Sequence, residues 1–174
     1  MKKIVFRYGL ISGAISAALV LATGAAIASK ILNFGGSEVV GYISMMLAFS
    51  VIYPGMIAYR DNIGGGEIKY GRAFAIGMLI TAISCVLYVV AWVIVYHTML
   101  PGFWDQYAAY AVAEKKSKGG SAADIDKIMD EMKQMKELYK SPVAMCLLAY
   151  IEPLPVGLLI SIISAFLVRL KRDG

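Results

Sequence analysis

Residues 73–98 read AFAIGMLITAISCVLYVVAWVIVYHT and contain no Asp, Glu, Lys or Arg. A helix that crosses a hydrocarbon core of roughly 30 Å needs about 20 mostly apolar residues, and this stretch is long enough. A membrane β-strand would instead be a short segment with alternating apolar and polar residues. The stretch therefore predicts a transmembrane helix.

Three further stretches on either side have the same character. Two of them, 8–29 and 39–59, contain no charged residue, and the last contains only Glu152. We predict an all-α integral membrane bundle that forms a single membrane domain over residues 1–174. Its four spans are expected at about 8–29, 39–59, 73–98 and 143–168.

The composition of the chain agrees with a membrane protein. Of its 174 residues, 59% are hydrophobic and 17% are charged, whereas a soluble domain has about 45–50% apolar and about 25% charged residues. The net charge of +5 does not indicate a nucleic-acid partner, because the basic residues flank the apolar spans. The expected partner is the lipid bilayer. Cys85 and Cys146 both lie in apolar runs and indicate neither a disulfide framework nor a metal cluster.

The first span has an alternative interpretation. Basic residues, an apolar stretch and then Ala26-Ile27-Ala28 resemble a signal peptide with its cleavage site. A retained span is favoured, because the apolar stretch is longer than a usual signal sequence. In addition, small residues recur at helical spacing at positions 9, 13 and 17, as in helix-packing faces.

The distribution of Lys and Arg predicts the orientation. Segments 1–7, 60–72 and 169–174 hold nine Lys and Arg in 26 residues, against eight in 52 for segments 30–38 and 99–141. Because cytoplasmic loops are enriched in these residues, we expect both termini in the cytoplasm and a multi-pass protein of a bacterial inner membrane.

Residues 99–141 form the predicted external segment. Pro101 and Gly102 should end the third span, and KKSKGGS at 115–121 is typical of a flexible hinge. Ser121 and Asp124 predict a capping box that opens an amphipathic helix of about 121–139. Its apolar stripe is a candidate interaction face that comprises Ile125, Ile128, Met132, Met135 and Tyr139.

The apolar stripe must lie on the bundle itself, on the membrane interface or on a partner helix. Met129, Met132 and Met135 also have a spacing that could suit Cu(I), which thioethers favour. Apolar packing is the favoured interpretation, since Ile and Leu share the stripe and no Cys accompanies it.

The fourth span contains a candidate intramembrane polar site of Glu152, Pro153 and Pro155. Each proline removes a backbone donor, so the helix should kink or restart there. A carboxylate beside freed carbonyls could hold a proton or a small cation. Alternatively, Glu152 caps the restarted helix or bonds to a Tyr or Ser of a neighbouring span.

A glycine-rich turn joins the second and third spans. Its candidate residues are Arg60, Asp61, Asn62, Gly65 and Gly66. The turn lacks the Lys-Ser/Thr ending of a P-loop and has no preceding strand, so a tight cytoplasmic turn near lipid headgroups is favoured over nucleotide binding.

Two motifs carry a family resemblance. The run YRDNIGGGEIKYGRAF at 59–74 follows a Gly-Tyr-x-Ser-Met second helix, and EPLPVGLLISIISAFLVRLKR occupies 152–172. Together they resemble the bacterial membrane-protein family called domain of unknown function 4199, over essentially the whole chain. The resemblance implies a four-span inner-membrane protein with a long loop between spans three and four. It implies no activity and no site residue.

The sequence contains no His-Glu-x-x-His and no Gly-x-Ser-x-Gly motif, and its one histidine is His97. We therefore expect no enzymatic activity, with no catalytic, cofactor-binding or metal-binding residue. The leading prediction is a structural or partner-binding membrane component that binds a membrane protein or a second copy of itself. The alternative is a small oligomeric transporter or channel subunit that uses Glu152 as a proton or cation site.

Overall fold

The computed structural model describes residues 1–170. Residues 171–174, the end of the segment 169–174 used to predict the orientation, lie outside this range. The described residues form eight α-helices and no strand, which confirms the all-α class. The helices are α1 (Lys2–Ala28), α2 (Phe34–Phe49), α3 (Ile52–Asn62), α4 (Tyr70–Ile94), α5 (Phe103–Ser117), α6 (Ala122–Leu138), α7 (Pro142–Ile151) and α8 (Leu154–Leu170). A π-helical turn, Val95–Met99, extends α4.

Four helical stretches are long and apolar enough to cross a membrane. They are Lys2–Ala28, Phe34–Asn62, Tyr70–Met99 and Pro142–Arg169. The second stretch combines α2 and α3, and the fourth combines α7 and α8. The structure thus contains the four membrane-span-like helices expected from the charge-free intervals.

Helix α4 lies at the centre of the bundle, where it packs against α1, α3, α7 and α8. Its closest neighbour is α1, because glycines on α1 let the two backbones approach. A Cβ atom at Gly9 would lie 2.8 Å from the Cβ of Ile83, and one at Gly13 would lie 3.0 Å from the Cβ of Leu87. The small residues predicted to form a packing face of the first span therefore contact the third span.

Buried hydroxyl groups hold the same region together. Ser12 Oγ donates to the carbonyl oxygen of Ala48 at 2.8 Å and pairs with Ser84 Oγ at 3.1 Å. Ser12 and Ser84 are both completely buried. Since a bilayer core offers no water to an unpaired hydroxyl, these bonds connect α1, α2 and α4 inside the bundle.

The second span begins earlier than expected and is interrupted. Helix α2 starts at Phe34 because the Asn33 side chain accepts a 2.6 Å hydrogen bond from the backbone N–H of Gly36. The helix loosens between Phe49 and Ile52, where Pro54 cannot donate to the carbonyl of the residue four positions earlier. The expected span at about 39–59 lies within the stretch Phe34–Asn62, which extends further at both ends and contains a loosened turn before Pro54.

The fourth span restarts at its prolines, as predicted. Helix α7 ends at Ile151 and α8 begins at Leu154. Pro153 is buried between the two helices, whereas Pro155 is exposed. Glu152 follows the last residue of α7 and therefore lies at the break.

Helices α5 and α6 form a helical hairpin, residues 103–138. Its ends are fastened by ion pairs, from Lys136 to Asp105 at 2.6 Å and from Lys115 to Asp124 at 3.7 Å. The capping box predicted at Ser121 is present, and α6 ends close to the predicted position. No helix is predicted from the sequence at α5, which fills the part of the external segment between Gly102 and the predicted hinge and extends into that hinge.

Candidate ligand-binding cavity

A cavity of about 510 Å³ lies between the bundle and the helical hairpin. We call it the hairpin cavity. It is lined by α1, α2, α4, both hairpin helices and the break between α7 and α8. Most of its lining side chains are apolar or aromatic, and hydroxyl groups and two carboxylates supply the polar part.

One polar element of the cavity is a hydrogen bond between two spans. The Tyr88 hydroxyl of α4 donates to Oε2 of Glu152 at 3.0 Å. Tyr88 is buried and only 6% exposed, whereas Glu152 is exposed and lines the cavity. This bond realises the predicted alternative in which a tyrosine of a neighbouring span holds Glu152. It leaves the carboxylate in contact with the cavity.

The second carboxylate of the cavity is Glu38 on α2. It accepts a hydrogen bond from the Tyr107 hydroxyl of α5, which ties the hairpin to the bundle. Burial of the Tyr107 ring, followed by its hydrogen bond to Glu38, raises the pKa of Tyr107 above its ordinary value. The hydroxyl therefore remains a donor to Glu38 at neutral pH.

Aromatic rings form a continuous wall of the cavity. The Phe103 ring packs edge-to-face on Trp92 with ring centroids 5.3 Å apart, on Trp104 at 5.2 Å and on Phe34 at 5.8 Å. Such edge-to-face pairs stabilise one another beyond their buried area. Trp92 of α4 thus forms one aromatic cluster with α2 and the hairpin.

The charges of the cavity have one sign. Glu38 and Glu152 line it, and none of its lining residues within the described range is Lys, Arg or His. Neither carboxylate is in an ion pair in the described part of the chain. The indole N–H of Trp104 is also buried there without a hydrogen-bond partner among residues 1–170.

The predicted interaction face of α6 lies largely against the chain itself. Met132 and Met135 line the hairpin cavity, and the Tyr139 ring packs on Trp104 with centroids 4.9 Å apart. The other two members of the face, Ile125 and Ile128, are half-buried as α6 packs on α5. Of the alternatives left open for this stripe, the structure places it on the bundle and hairpin.

The structure does not bring the three methionines of α6 together as a copper site would require. Met132 and Met135 line the cavity, whereas Met129 is 56% exposed and is not one of its lining residues. Met132 and Met135 are half-buried, as apolar residues on the inner face of an amphipathic helix are.

The glycine-rich turn lies at the other end of the bundle, where its backbone amides are used internally. The N–H of Gly64 donates to the carbonyl of Tyr59, and that of Gly66 donates to the carbonyl of Arg60. Gly65 and Gly66 have φ values of 65° and 88°, which favour glycine. Because these two amides donate within the turn, they are not available to a phosphate.

Polar side chains of this turn contact other groups of the same chain. Arg60 Nε lies 2.7 Å from Asp61 Oδ1, and Arg60 Nη1 lies 3.5 Å from the carbonyl oxygen of Val168 on α8. Asn62 Nδ2 donates to the carbonyl of Ala58 at 2.8 Å. A smaller, more polar cavity of about 430 Å³ here is bordered by Arg60 and Lys69. The two ends of the bundle therefore differ in charge.

Sequence reasoning missed the contribution of α5 to the cavity. Phe103, Tyr107 and Tyr110 are spaced by four and three residues and thus lie on one helical face. Asp105 in the first turn and two lysines in the last turn also suit a helix. This signal was present in the sequence, although the partner of the face, Phe34 on α2, is distant along the chain.

A family model described as "Protein of unknown function (DUF4199)" matches residues 7–169. The chain belongs to the DUF4199 family. This confirms the family resemblance carried by the glycine-rich turn and the last span, and the matched range contains every lining residue of the hairpin cavity. Comparisons of this DUF4199 chain with curated proteins and with solved structures gave no match.

Proposed function

We propose that this chain is a non-catalytic membrane component that binds a small amphipathic molecule in the hairpin cavity. The observation that supports the proposal is the cavity itself, about 510 Å³ in volume and lined mainly by apolar and aromatic side chains. Ligand sites commonly have about 300–1,000 Å³ and combine such a lining with a few placed polar groups.

A ligand-binding role has more support than a protein-binding role for the hairpin. The sequence hypothesis of a partner required the stripe of α6 to be free, and Met132 and Met135 instead line the cavity. A structural role beside a membrane-protein partner or a second copy stays a prediction.

The absence of catalysis is likewise a proposal, and the chemistry of the lining supports it. Ser16, Ser37 and Ser44 line the cavity without a histidine or lysine in the described lining that could act as their base. Glu152 is held by a tyrosine rather than by a nucleophile. We assign these groups to binding.

The proposal is tested by filling the cavity. Gly41 lines it, and a Cβ atom there would have no neighbour within 4 Å. The Gly41→Phe side chain therefore starts in open space at the cavity, which we expect it to occupy. Gly71→Phe is the matched control, because Gly71 also has open space around its Cβ but lies away from the cavity.

The measurement is the fluorescence of N-phenyl-1-naphthylamine, a neutral amphipathic dye, titrated into the purified full chain in nanodiscs. We expect saturable binding to the wild type and to Gly71→Phe, and loss of the saturable phase in Gly41→Phe. Absence of saturable binding to the wild type, or unchanged binding to Gly41→Phe, would refute the proposal.

We further propose that the protein lies in a bacterial cytoplasmic membrane with both termini inside and the hairpin outside. The density of Lys and Arg on the connecting segments supports this orientation. A Ser121→Cys reporter in a chain without Cys85 and Cys146 should react with a membrane-impermeant maleimide on the outer face of the cytoplasmic membrane. Labelling only after that membrane is broken would mean that the hairpin lies inside, which would contradict the proposed orientation.

A transport role is the second candidate function. It is favoured by the position of Glu152 at the break between α7 and α8, in contact with the cavity. Broken helices of this kind hold ions in transporters. In proteoliposomes with a proton gradient, the wild type should dissipate the gradient and Glu152→Gln should not. Equal rates for the two proteins would exclude Glu152 as a proton carrier.

A further inference from the structure

We infer that the hairpin cavity selects a lipophilic organic cation, a positively charged group carried on an apolar body. The inference rests on the proposed ligand-binding function and adds the chemical class of the ligand. It is carried by the charge of the cavity, by its aromatic wall and by the way Glu152 is held.

The first argument is charge. Glu38 and Glu152 both line the cavity, and its described lining contains no cationic side chain. The hairpin shows a different pattern, since Asp105, Glu114 and Asp124 are each within 4 Å of a lysine nitrogen. Carboxylates next to an apolar membrane region interact strongly with an opposite charge, because the local dielectric constant is low. The cavity lacks that opposite charge, and a cationic ligand supplies it.

The second argument is the aromatic wall. Trp92, Phe103 and Trp104 lie together with ring centroids 5.2–5.3 Å apart in consecutive pairs, and all three line the cavity. The faces of aromatic rings attract cations, and quaternary ammonium groups are commonly recognised by several rings together. The same rings provide the apolar surface that the body of the ligand requires.

The third argument is the fixed position of Glu152. Tyr88 donates to Oε2 at 3.0 Å, and Oε1 has no hydrogen-bond donor in the described part of the chain. Because Tyr88 is buried and cannot move away readily, the carboxylate is oriented before the ligand arrives. Such preorganisation reduces the entropy lost on binding.

A cation of this class has two possible sources. It is either the ammonium group of a membrane lipid or a free lipophilic amine. Both offer the same chemistry to Glu38 and Glu152, so the experiment separates the sources by changing the lipid.

The test compares tetraphenylphosphonium with tetraphenylborate, two ions of the same shape and opposite charge. Each is titrated by calorimetry into the full chain in phosphatidylglycerol nanodiscs, with empty nanodiscs as the correction for partitioning. We expect saturable binding of tetraphenylphosphonium and at least about tenfold weaker binding of tetraphenylborate. Equal binding of the two ions would overturn the inference.

Added phosphatidylcholine distinguishes the sources. If a lipid ammonium group occupies the cavity, phosphatidylcholine should weaken tetraphenylphosphonium binding in a competitive manner. If the natural ligand is a free amine, the affinity after correction should not change. Both results support an organic cation as the ligand class.

Glu152→Gln keeps the shape of the side chain and removes its charge. We expect it to weaken tetraphenylphosphonium binding about tenfold and to reduce the preference for this ion over tetraphenylborate. Glu131→Gln on the exposed face of α6 is the control, since it removes the same charge away from the cavity. Should Glu152→Gln not fold, Glu38→Gln provides the same test.

The two proposals fail differently. Loss of charge discrimination with intact N-phenyl-1-naphthylamine binding overturns the cation inference and leaves the proposed function in place. Absence of saturable binding of the neutral dye overturns the proposed function itself.

Discussion

Helices α1 and α4 meet in two different ways. Around Gly9 and Gly13 they are in close contact, and hydroxyls such as Ser12 are fully paired. Further along the same helices, Ser16 and Tyr88 border a cavity instead. The difference is that small residues let two backbones approach, whereas the cavity is bordered by bulky rings and carboxylates of α2, α4 and the hairpin. We expect the first region to contribute more to stability, and we propose the second region as the ligand site.

The largest loss of stability is expected from overpacking the close contact between α1 and α4. Gly9→Ala would place a Cβ atom 2.8 Å from the Cβ of Ile83, an atom fixed to the backbone of α4. We expect a loss of about 1–3 kcal/mol of stability, measured as the unfolding midpoint in a mild detergent. Gly71→Ala, with open space around its Cβ, should be neutral or slightly stabilising. Equal midpoints for the two variants would contradict the close-contact description.

A smaller loss, in ligand affinity, is expected from removing the hydrogen bond between Tyr88 and Glu152 at the cavity. Tyr88→Phe keeps the ring and removes the hydroxyl that donates to Glu152. We expect about 1 kcal/mol weaker tetraphenylphosphonium binding, because Glu152 is no longer held in one orientation. The unfolding midpoint should fall less than in Gly9→Ala. A midpoint that falls by as much, with unchanged binding, would assign Tyr88 to stability alone.

The smallest effect on stability is expected where the Tyr107 hydroxyl attaches the hairpin to Glu38 of the bundle. The pKa of Tyr107 is raised above 10.0, first by burial and then by its hydrogen bond to Glu38. A raised pKa means that the protonated form is favoured in the folded state. The resulting stability is therefore complete below the ordinary pKa and is lost as the pH rises through the folded value.

Hydrogen exchange of α5 measures this attachment. In the wild type, the protection of the α5 amides from exchange should decrease at strongly alkaline pH, after correction for the intrinsic increase in exchange rate. Tyr107→Phe should have lower protection at neutral pH and no such additional decrease. An identical pH dependence in the two proteins would show that Tyr107 does not fasten the hairpin.

The sequence alone determined the membrane spans, because a charge-free run of sufficient length is stable only in lipid and leaves the helix as its structure. It also determined the break at Pro153 and the capping box at Ser121, which depend on residues close in the chain. Only the tertiary structure decided what covers the stripe of α6 and what Glu152 contacts. Tyr88 and Glu152 are separated by 64 positions, and no local pattern specifies which side chains of different spans meet.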